Sequence, residues 1–304
     1  MAKLLELRQR IRAVENIQTI TRTLATVAAA KLARTRRRAA GLRDYGERIR
    51  EILLHQIHLA RTGPGSGASS SLLEERKPVR NVALLVVTSD RGMCGGYNLE
   101  VCRFASEAWA RWTRAQRGVR LVLKGRKGAA YFARRAADVV HRESWPREGV
   151  RADDVERLLA ILLAKYRSRA VEEIWAVYTE FHSPIRRRPR LVRILPVELP
   201  LARAGMEEIE KWSYEPSPGT ILDELLAIYL RVQLCGVLLQ SYASEQGARM
   251  VTMEEASERA DRTLQTYRVQ HHRLRREAIT IDLLGALFAS RAAEEKGVVP
   301  GRSG

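Results

Sequence analysis

Residues 4–53 read LLELRQRIRAVENIQTITRTLATVAAAKLARTRRRAAGLRDYGERIREIL, and one spacing runs through the whole stretch. Steps of alternately three and four residues from Leu4 land on Leu7, Ile11, Val14, Gln18, Thr21, Ala25, Ala28, Leu32, Thr35, Ala39, Leu42, Gly46, Ile49 and Leu53. The stretch contains no Pro, and its only glycines are Gly41 and Gly46. A 3-4 spacing sustained this long is the seam of a coiled coil, narrower than the apolar face of a globular helix. The seam is apolar at both ends and small or polar in the middle, which suits close packing. At 1.5 Å per residue such a helix is roughly 80 Å long, too long to be buried within one compact domain.

A second seam occupies the other end of the chain. From Leu225 the same stepping gives Tyr229, Val232, Gly236, Leu239, Ala243, Gln246, Met250, Met253, Ser257, Ala260, Leu264, Tyr267, His271, Leu274, Ala278, Ile281, Gly285 and Phe288. No Pro follows Pro218 until Pro300, which implies a helix of roughly 100 Å. Two long seams at the two ends of one chain are satisfied together if they wrap antiparallel around each other.

Between the seams the period changes. Thr62–Ser71, rich in Gly, Ser and Pro, reads as a flexible linker. Asn81–Thr88 (NVALLVVT) is a continuous apolar run, the mark of a strand buried on both faces. Val119–Lys124, Glu173–Phe181 and Arg190–Val197 are further strand candidates, with helical stretches near 98–116, 126–137 and 152–169. This alternation predicts a small α/β domain with a mostly parallel sheet. The expected fold class is thus an α/β insertion domain on a long antiparallel two-helix coiled coil formed by the N- and C-terminal helices. The expected boundaries are 1–60 for the first helix, 61–79 for the linker and 80–200 for the Rossmann-like domain. A connecting loop at 201–217, the second helix at 218–290 and a flexible tail at 291–304 complete them.

Composition narrows the function classes. Of 304 residues, 53 are Lys or Arg and 35 Asp or Glu, a formal net charge of +18, while 45% are hydrophobic. That apolar fraction argues against disorder, and the charge asks for an acidic partner. Nine of those net charges fall on residues 1–50, whereas 240–290 carry seven basic and seven acidic side chains. Three Cys (Cys94, Cys102, Cys235) lie far apart without a CxxC pair, which excludes a disulfide scaffold or zinc ribbon. The charged first ten residues are unlike a signal peptide, and no apolar run is long enough to span a bilayer.

Candidate chemistry is sparse. The loop Ser89-Asp-Arg-Gly-Met-Cys-Gly-Gly-Tyr-Asn98 follows the first strand, where phosphates often bind, but it has neither GxGxxG nor Walker spacing. It reads either as a tight turn whose glycines allow positive φ or as an enzyme site using Cys94. His55 and His58 share a helix face without a third ligand, and His271-His272 lie at the seam. No metal, cofactor or catalytic residue is therefore assigned. The clusters Arg34–Arg38 and Arg186–Arg190 can track a phosphate backbone or an acidic protein, and few aromatics accompany them for base stacking. A basic coiled-coil protein that binds nucleic acid remains the alternative.

Several segments resemble the gamma subunit of F-type ATP synthases. Tyr214–Leu226 (YEPSPGTILDELL), Ser244–Met250 (SEQGARM) and Ala278-Ile-Thr280 are similar to that family's C-terminal region. Leu7–Thr21 and Val27–Lys31 look like its opening helix, and Asp90–Asn98 like its signature turn. The resemblance implies a non-catalytic rotor, a subunit of a rotary ion-transporting ATPase that couples proton (or sodium) flow to ATP synthesis or hydrolysis. Its implied partners are a hexameric catalytic head of three alpha and three beta subunits (alpha3beta3), the epsilon subunit and the c-ring of the membrane sector. One copy per complex is implied, with no cofactor, no nucleic acid and no membrane insertion, peripheral on the cytoplasmic side of the bacterial plasma (inner) membrane.

Residue by residue, the resemblance places Arg275 and Thr280 at a catch loop of one beta subunit, and Lys31 beside acidic loops of the head. It turns Glu245 and Arg249 toward the first helix and the head, and Tyr214 and Glu215 toward the c-ring. Glu245 and Arg249 are also four apart and can simply pair along their own helix. Arg276 joins the head contacts although the family usually has Gln there. His271-His272, Gln240, Thr26 and Gly285 also depart from the family pattern, as does a C-terminal extension of about fourteen residues. These departures suggest a divergent branch.

Overall fold

A computed structural model describes residues 2–62, 70–135, 137–198 and 218–297. The elements in chain order are α1 (Ala2–Thr62), β1 (Asn81–Val87), α2 (Tyr97–Arg114), β2 (Gly118–Lys124) and α3 (Arg126–Phe132). They continue with β3 (Asp138–Glu143), α4 (Ala152–Arg167), β4 (Glu173–Phe181), β5 (Arg187–Leu195) and α5 (Pro218–Gly297). An N-terminal and a C-terminal helix thus flank an α/β sheet region in sequence. The chain falls into two compact units, Met1–Ala25 with Met253–Gly304, and Thr26–Thr252. No helix among the described residues is long and apolar enough to cross a membrane.

In the first unit the two chain ends pair antiparallel. Arg8 Nε donates to His271 Nε2 at 3.1 Å, Arg268 reaches Glu15 at 2.9 Å, and the Gln18 amide donates to Asp261. As the number rises on one helix it falls on the other. The seam positions Leu7, Thr21 and Ala25 are buried on α1, and Met253, Ala260 and Leu264 on α5. His271 is therefore a hydrogen-bonding seam residue. Beyond Ala278 the pattern ends: Ile279, Ile281, Leu283, Leu284, Leu287 and Phe288 are all exposed. In the register set by Arg8 and His271, these residues lie past Ala2, the first described residue of α1.

The second unit is built on a five-stranded sheet of order β3-β2-β1-β4-β5. The first four strands are parallel, and β5 adds to β4 antiparallel. β1 is buried on both faces, which explains its unbroken apolar run. Ala83, Leu85 and Val87 join a core with Leu53 and Ile57 of α1, Leu158 and Leu162 of α4, and Leu226 to Tyr242 of α5. Val82, Leu84 and Val86 join the opposite core with Val101, Ala105 and Trp112 of α2 and Phe132. The seam holds here as well: a Cβ on Gly46 would lie 3.0 Å from Val232 Cγ1, so a small residue sets the approach of α1 to α5.

Two strands differ from the expectation. β3 (DVVHRE) has no counterpart among the expected strands; it is a short edge strand, bulged against β2 and only half-buried, so its apolar content is low. β5 begins at Arg187, not Arg190, and includes Pro189 opposite Thr179; an outermost strand tolerates both Pro and charge. Of the expected linker, residues 63–69 lie outside the described residues, but its second half is packed. Leu72 is buried and its carbonyl accepts from Val197 N–H at 2.9 Å, while the Arg76 guanidinium lies 3.7 Å from the Tyr166 ring centroid. The connecting loop 201–217 and the tail from 298 on also lie outside the described residues.

Candidate functional site

Open α/β sheets bind ligands outside the carboxyl ends of their strands, where the strand order reverses. Here the chain runs from β1 outward to β2 and β3, then crosses to β4 on the other side, so the reversal lies between β1 and β4. Its rim is the Gly-rich loop after β1 and the turn after β4. The crevice is filled by the chain's own C-terminal helix.

Every residue from Ser241 to Arg249 is buried. Ser241 Oγ donates to the Val87 carbonyl at 3.5 Å and lies 2.7 Å from the Tyr97 hydroxyl. Ser244 Oγ donates to the Thr179 carbonyl at 3.0 Å, and Phe181 N–H donates to Gln240 Oε1 at 3.1 Å. Gly247 brings the backbone so close that a Cβ would lie 3.1 Å from the Phe181 ring and 3.2 Å from Pro184 Cα. The small residues of SEQGARM let a helix lie against the strand ends.

The Gly-rich loop is shaped around the same helix. Met93 and Gly95 have φ of 60° and 56°, and a Cβ on Gly95 would meet Thr252 Oγ1 at 3.0 Å. Ser89 N–H donates to Asn98 Oδ1 at 2.9 Å, and Asn98 Nδ2 donates to Ser89 Oγ at 2.8 Å, which ties the two ends of the loop together. Arg249 joins loop and helix: one guanidinium nitrogen lies 2.8 Å from Glu245 Oε1 and another donates to the Gly92 carbonyl at 3.3 Å. Burial raises the Glu245 carboxyl above its ordinary value, against the pull of Arg249.

The neighbouring strand ends are satisfied from within. Asp90 accepts from the backbone N–H of Arg126 at 2.8 Å and of Trp145 at 2.9 Å, so the first turn of α3 is capped by the chain's own carboxylate. Lys124 is fully buried, with its ammonium 3.1 Å from the Ser144 carbonyl and 3.4 Å from Glu143. Cys94 packs with Tyr97 and Ala248, and burial pushes its thiol up. Cys102 is pushed up to about 12, again by burial. Nucleophilic thiols need the opposite shift. In the native chain at mild alkaline pH, Cys94 and Cys102 are expected to resist a thiol reagent until denaturant is added. Rapid native labelling of Cys94, mapped by mass spectrometry, would restore the enzyme reading.

The residues expected from the sequence do not form one site. Lys31 is half-buried on α1. Arg275, Arg276 and Thr280 are exposed on α5, with the Thr280 hydroxyl donating to the Arg276 carbonyl at 3.0 Å. Glu245 and Arg249 face inward and hold each other and the loop. Tyr214 and Glu215 lie outside the described residues. Of the histidine pair, His55 is half-buried, and among the described residues no group of His, Cys, Asp and Glu is placed to hold a metal. Tyr97, Ser241 and Gln240, which seat the helix, are absent from the expected site residues; Tyr97 is signalled by its place in the Gly-rich loop, and Ser241 by the small and polar residues off the seam of α5.

The two chain ends thus pair with each other, and the strand-end crevice of the α/β region is filled by the C-terminal helix. A family model described as ATP synthase matches residues 3–286. The ATP synthase gamma chain of Desulfitobacterium hafniense is 31% identical over 97% of this chain and 100% of its own length. That of Geobacter metallireducens is 34% identical over 93% and 96%. Among solved structures, a chain of the Euglena gracilis mitochondrial ATP synthase (OSCP/F1/c-ring, rotational state 3) aligns with a TM-score of 0.63 at 13% identity, covering 100% of this chain and 98% of that one. A chain from the central stalk and c-ring of the Tetrahymena thermophila enzyme aligns at 0.57 with 20% identity, covering 78% and 99%. The chain belongs to the family of ATP synthase gamma chains.

Proposed function

We propose that this chain is the non-catalytic central shaft of a rotary ATP synthase. One copy turns inside a head of three alpha and three beta subunits and stands on the c-ring beside the epsilon subunit. It couples proton or sodium flow to ATP synthesis or hydrolysis, on the cytoplasmic face of the plasma membrane and without entering the bilayer. The observation that carries this reading is the apolar end of α5. Leu283, Leu284, Leu287 and Phe288 are 48–68% exposed, past the stretch of α5 that pairs with the described residues of α1. An apolar helix end bare on every side needs a sleeve from another chain. Arg275, Arg276 and Thr280 lie one to three turns below it and would meet the same sleeve, with Lys31 facing the head from α1. Tyr214 and Glu215 would belong to the foot at the c-ring. Glu245 and Arg249 would serve the head through their hold on the Gly-rich loop.

Co-expression with the head subunits tests this. The chain is expected to elute with the hexamer at one copy. Leu287→Asp with Phe288→Asp is expected to weaken that association about 100-fold, since each buried side chain contributes roughly 1.5–3 kcal/mol. A chain that stays alone beside an intact hexamer would overturn the reading. Tight retention on DNA with a steep salt slope would move it to the nucleic-acid class.

A further inference from the structure

The segment between β3 and α4 closes a small cavity against both long helices. Arg147, Glu148 and Val150 meet Lys31, Arg34, Thr35 and Arg38 of α1 and Leu239 and Tyr242 of α5 around about 160 Å³. Four cationic side chains thus line a small space with a single carboxylate, Glu148, among them. Lys31, Arg34, Arg38 and Arg147 make no ion pair among the described residues; Arg38 gives one N–H to the Val150 carbonyl at 2.9 Å. Arg34, Arg38 and Arg147 are exposed and Lys31 is half-buried, and the Glu245 charge also acts on Lys31. The lining still carries an excess of positive charge over Glu148, and an anion there can take several charge-assisted hydrogen bonds at once.

A second, independent feature points the same way. Tyr242 is only 7% exposed and lines the cavity, yet its hydroxyl has no hydrogen-bond partner among the described residues. The ring is fixed from two sides. Trp145 lies 5.7 Å away between centroids, and Gly149, at φ 94°, approaches so closely that a Cβ would sit 2.8 Å from the ring. Burial first, and then the Glu245 charge, push Tyr242 up to about 12, so at neutral pH the group stays an O–H donor. The hydroxyl faces the cavity without an acceptor among the described residues, so it can give its hydrogen bond to an anion held there.

The volume selects the ligand. Pockets for drug-sized organic molecules begin near 300 Å³, about twice this space, so no nucleoside fits inside. We propose that the cavity binds a phosphate-type tetrahedral oxyanion, held by Lys31, Arg34, Arg38, Arg147 and the Tyr242 hydroxyl. Its source is either free inorganic phosphate or the terminal phosphate of a nucleotide whose remainder stays outside. The proposal goes beyond the shaft reading and does not depend on it.

Equilibrium dialysis of the full chain against labelled inorganic phosphate tests it, with labelled ATP in parallel. Saturable uptake of one phosphate per chain, displaced by sulfate but not by acetate, is expected. Arg34→Ala is expected to weaken it about tenfold, since a charge-assisted bond is roughly twice as strong as a neutral one. Tyr242→Phe, which keeps the ring packing, is expected to weaken it about fivefold with an unchanged circular dichroism spectrum. Uptake of ATP without uptake of phosphate assigns the nucleotide as the source. Uptake of neither, equal retention by Arg34→Ala, or displacement by acetate as readily as by sulfate overturns the proposal.

Discussion

Gly125→Ala is expected to destabilise the sheet region by more than about 4 kcal/mol, enough to leave most of the chain unfolded or insoluble. Gly125 follows β2 with φ 104°, and an added Cβ would lie 2.2 Å from the Thr88 carbonyl oxygen and 2.6 Å from its carbon. Neither side can yield. Gly125 N–H donates to the Glu143 carbonyl at 2.7 Å, and Thr88 N–H to the Lys124 carbonyl at 2.8 Å. The Thr88 hydroxyl also accepts from Gly128 N–H at 2.9 Å. The substitution therefore adds a backbone clash to an unfavourable φ, which alone costs about 1–3 kcal/mol. Gly92→Ala is the control, because a Cβ there meets nothing within 4 Å; its expected effect is within about 0.5 kcal/mol. Urea midpoints followed by tryptophan fluorescence compare the two. Equal midpoints would show that Gly125 is not locked between the strand ends.

The seams were legible because a 3-4 spacing reports burial along one line, and burial keeps to that line. Every seam position from Leu7 to Leu53 is buried or half-buried, and so is every one on α5 from Leu225 to Ala278. Ile281, Gly285 and Phe288 continue the spacing but are exposed. A periodic sequence records which residues are meant to be covered, not whether the covering comes from the same chain. The central strands β1, β2 and β4 were legible for a similar reason, since burial on both faces writes a continuous apolar run. Edge strands carry no such record: β3 shows one half-buried face, and the first residues of β5 are three charges and a Pro.

The site was legible in its residues but not in its meaning. The Gly-rich loop after β1 is conspicuous, and position alone suggests phosphate. A contact across about 150 residues of chain, between that loop and Ser241–Arg249, decides otherwise. The seam accounts for Leu239, Ala243, Gln246 and Met250, yet Ser241, Ser244, Gly247 and Ala248 lie off it and are equally buried. A helix that carries small buried residues off its seam has a second partner. The sequence pattern shows that such a partner exists; only the sheet topology identifies it as the reversal point between β1 and β4.

The pair at the centre of that contact should be felt when one member is removed. Glu245 and Arg249 are 2.8 Å apart with side chains 7% and 10% exposed, so each charge depends on the other. Arg249→Met is expected to lower stability by about 3–5 kcal/mol near neutral pH, because it strands a buried carboxylate and frees the Gly92 carbonyl. The loss should depend on pH with a definite sign. Burial already raises Glu245, while Arg249 is the largest influence lowering it, so the substitution raises that carboxyl further. A carboxyl raised in the folded state contributes stability that is present below its unfolded value, about 4.3, and is lost as pH rises through the folded value. The gap between the native chain and Arg249→Met should therefore widen from about pH 5 to about pH 8. Adding Glu245→Gln should narrow it at the higher pH, since the stranded charge is gone. A gap that is constant across this range, or larger on the acid side, would mean that Arg249 acts through packing and the Gly92 bond alone. The pair would then be a spacer between the loop and the helix, not the charge that holds them.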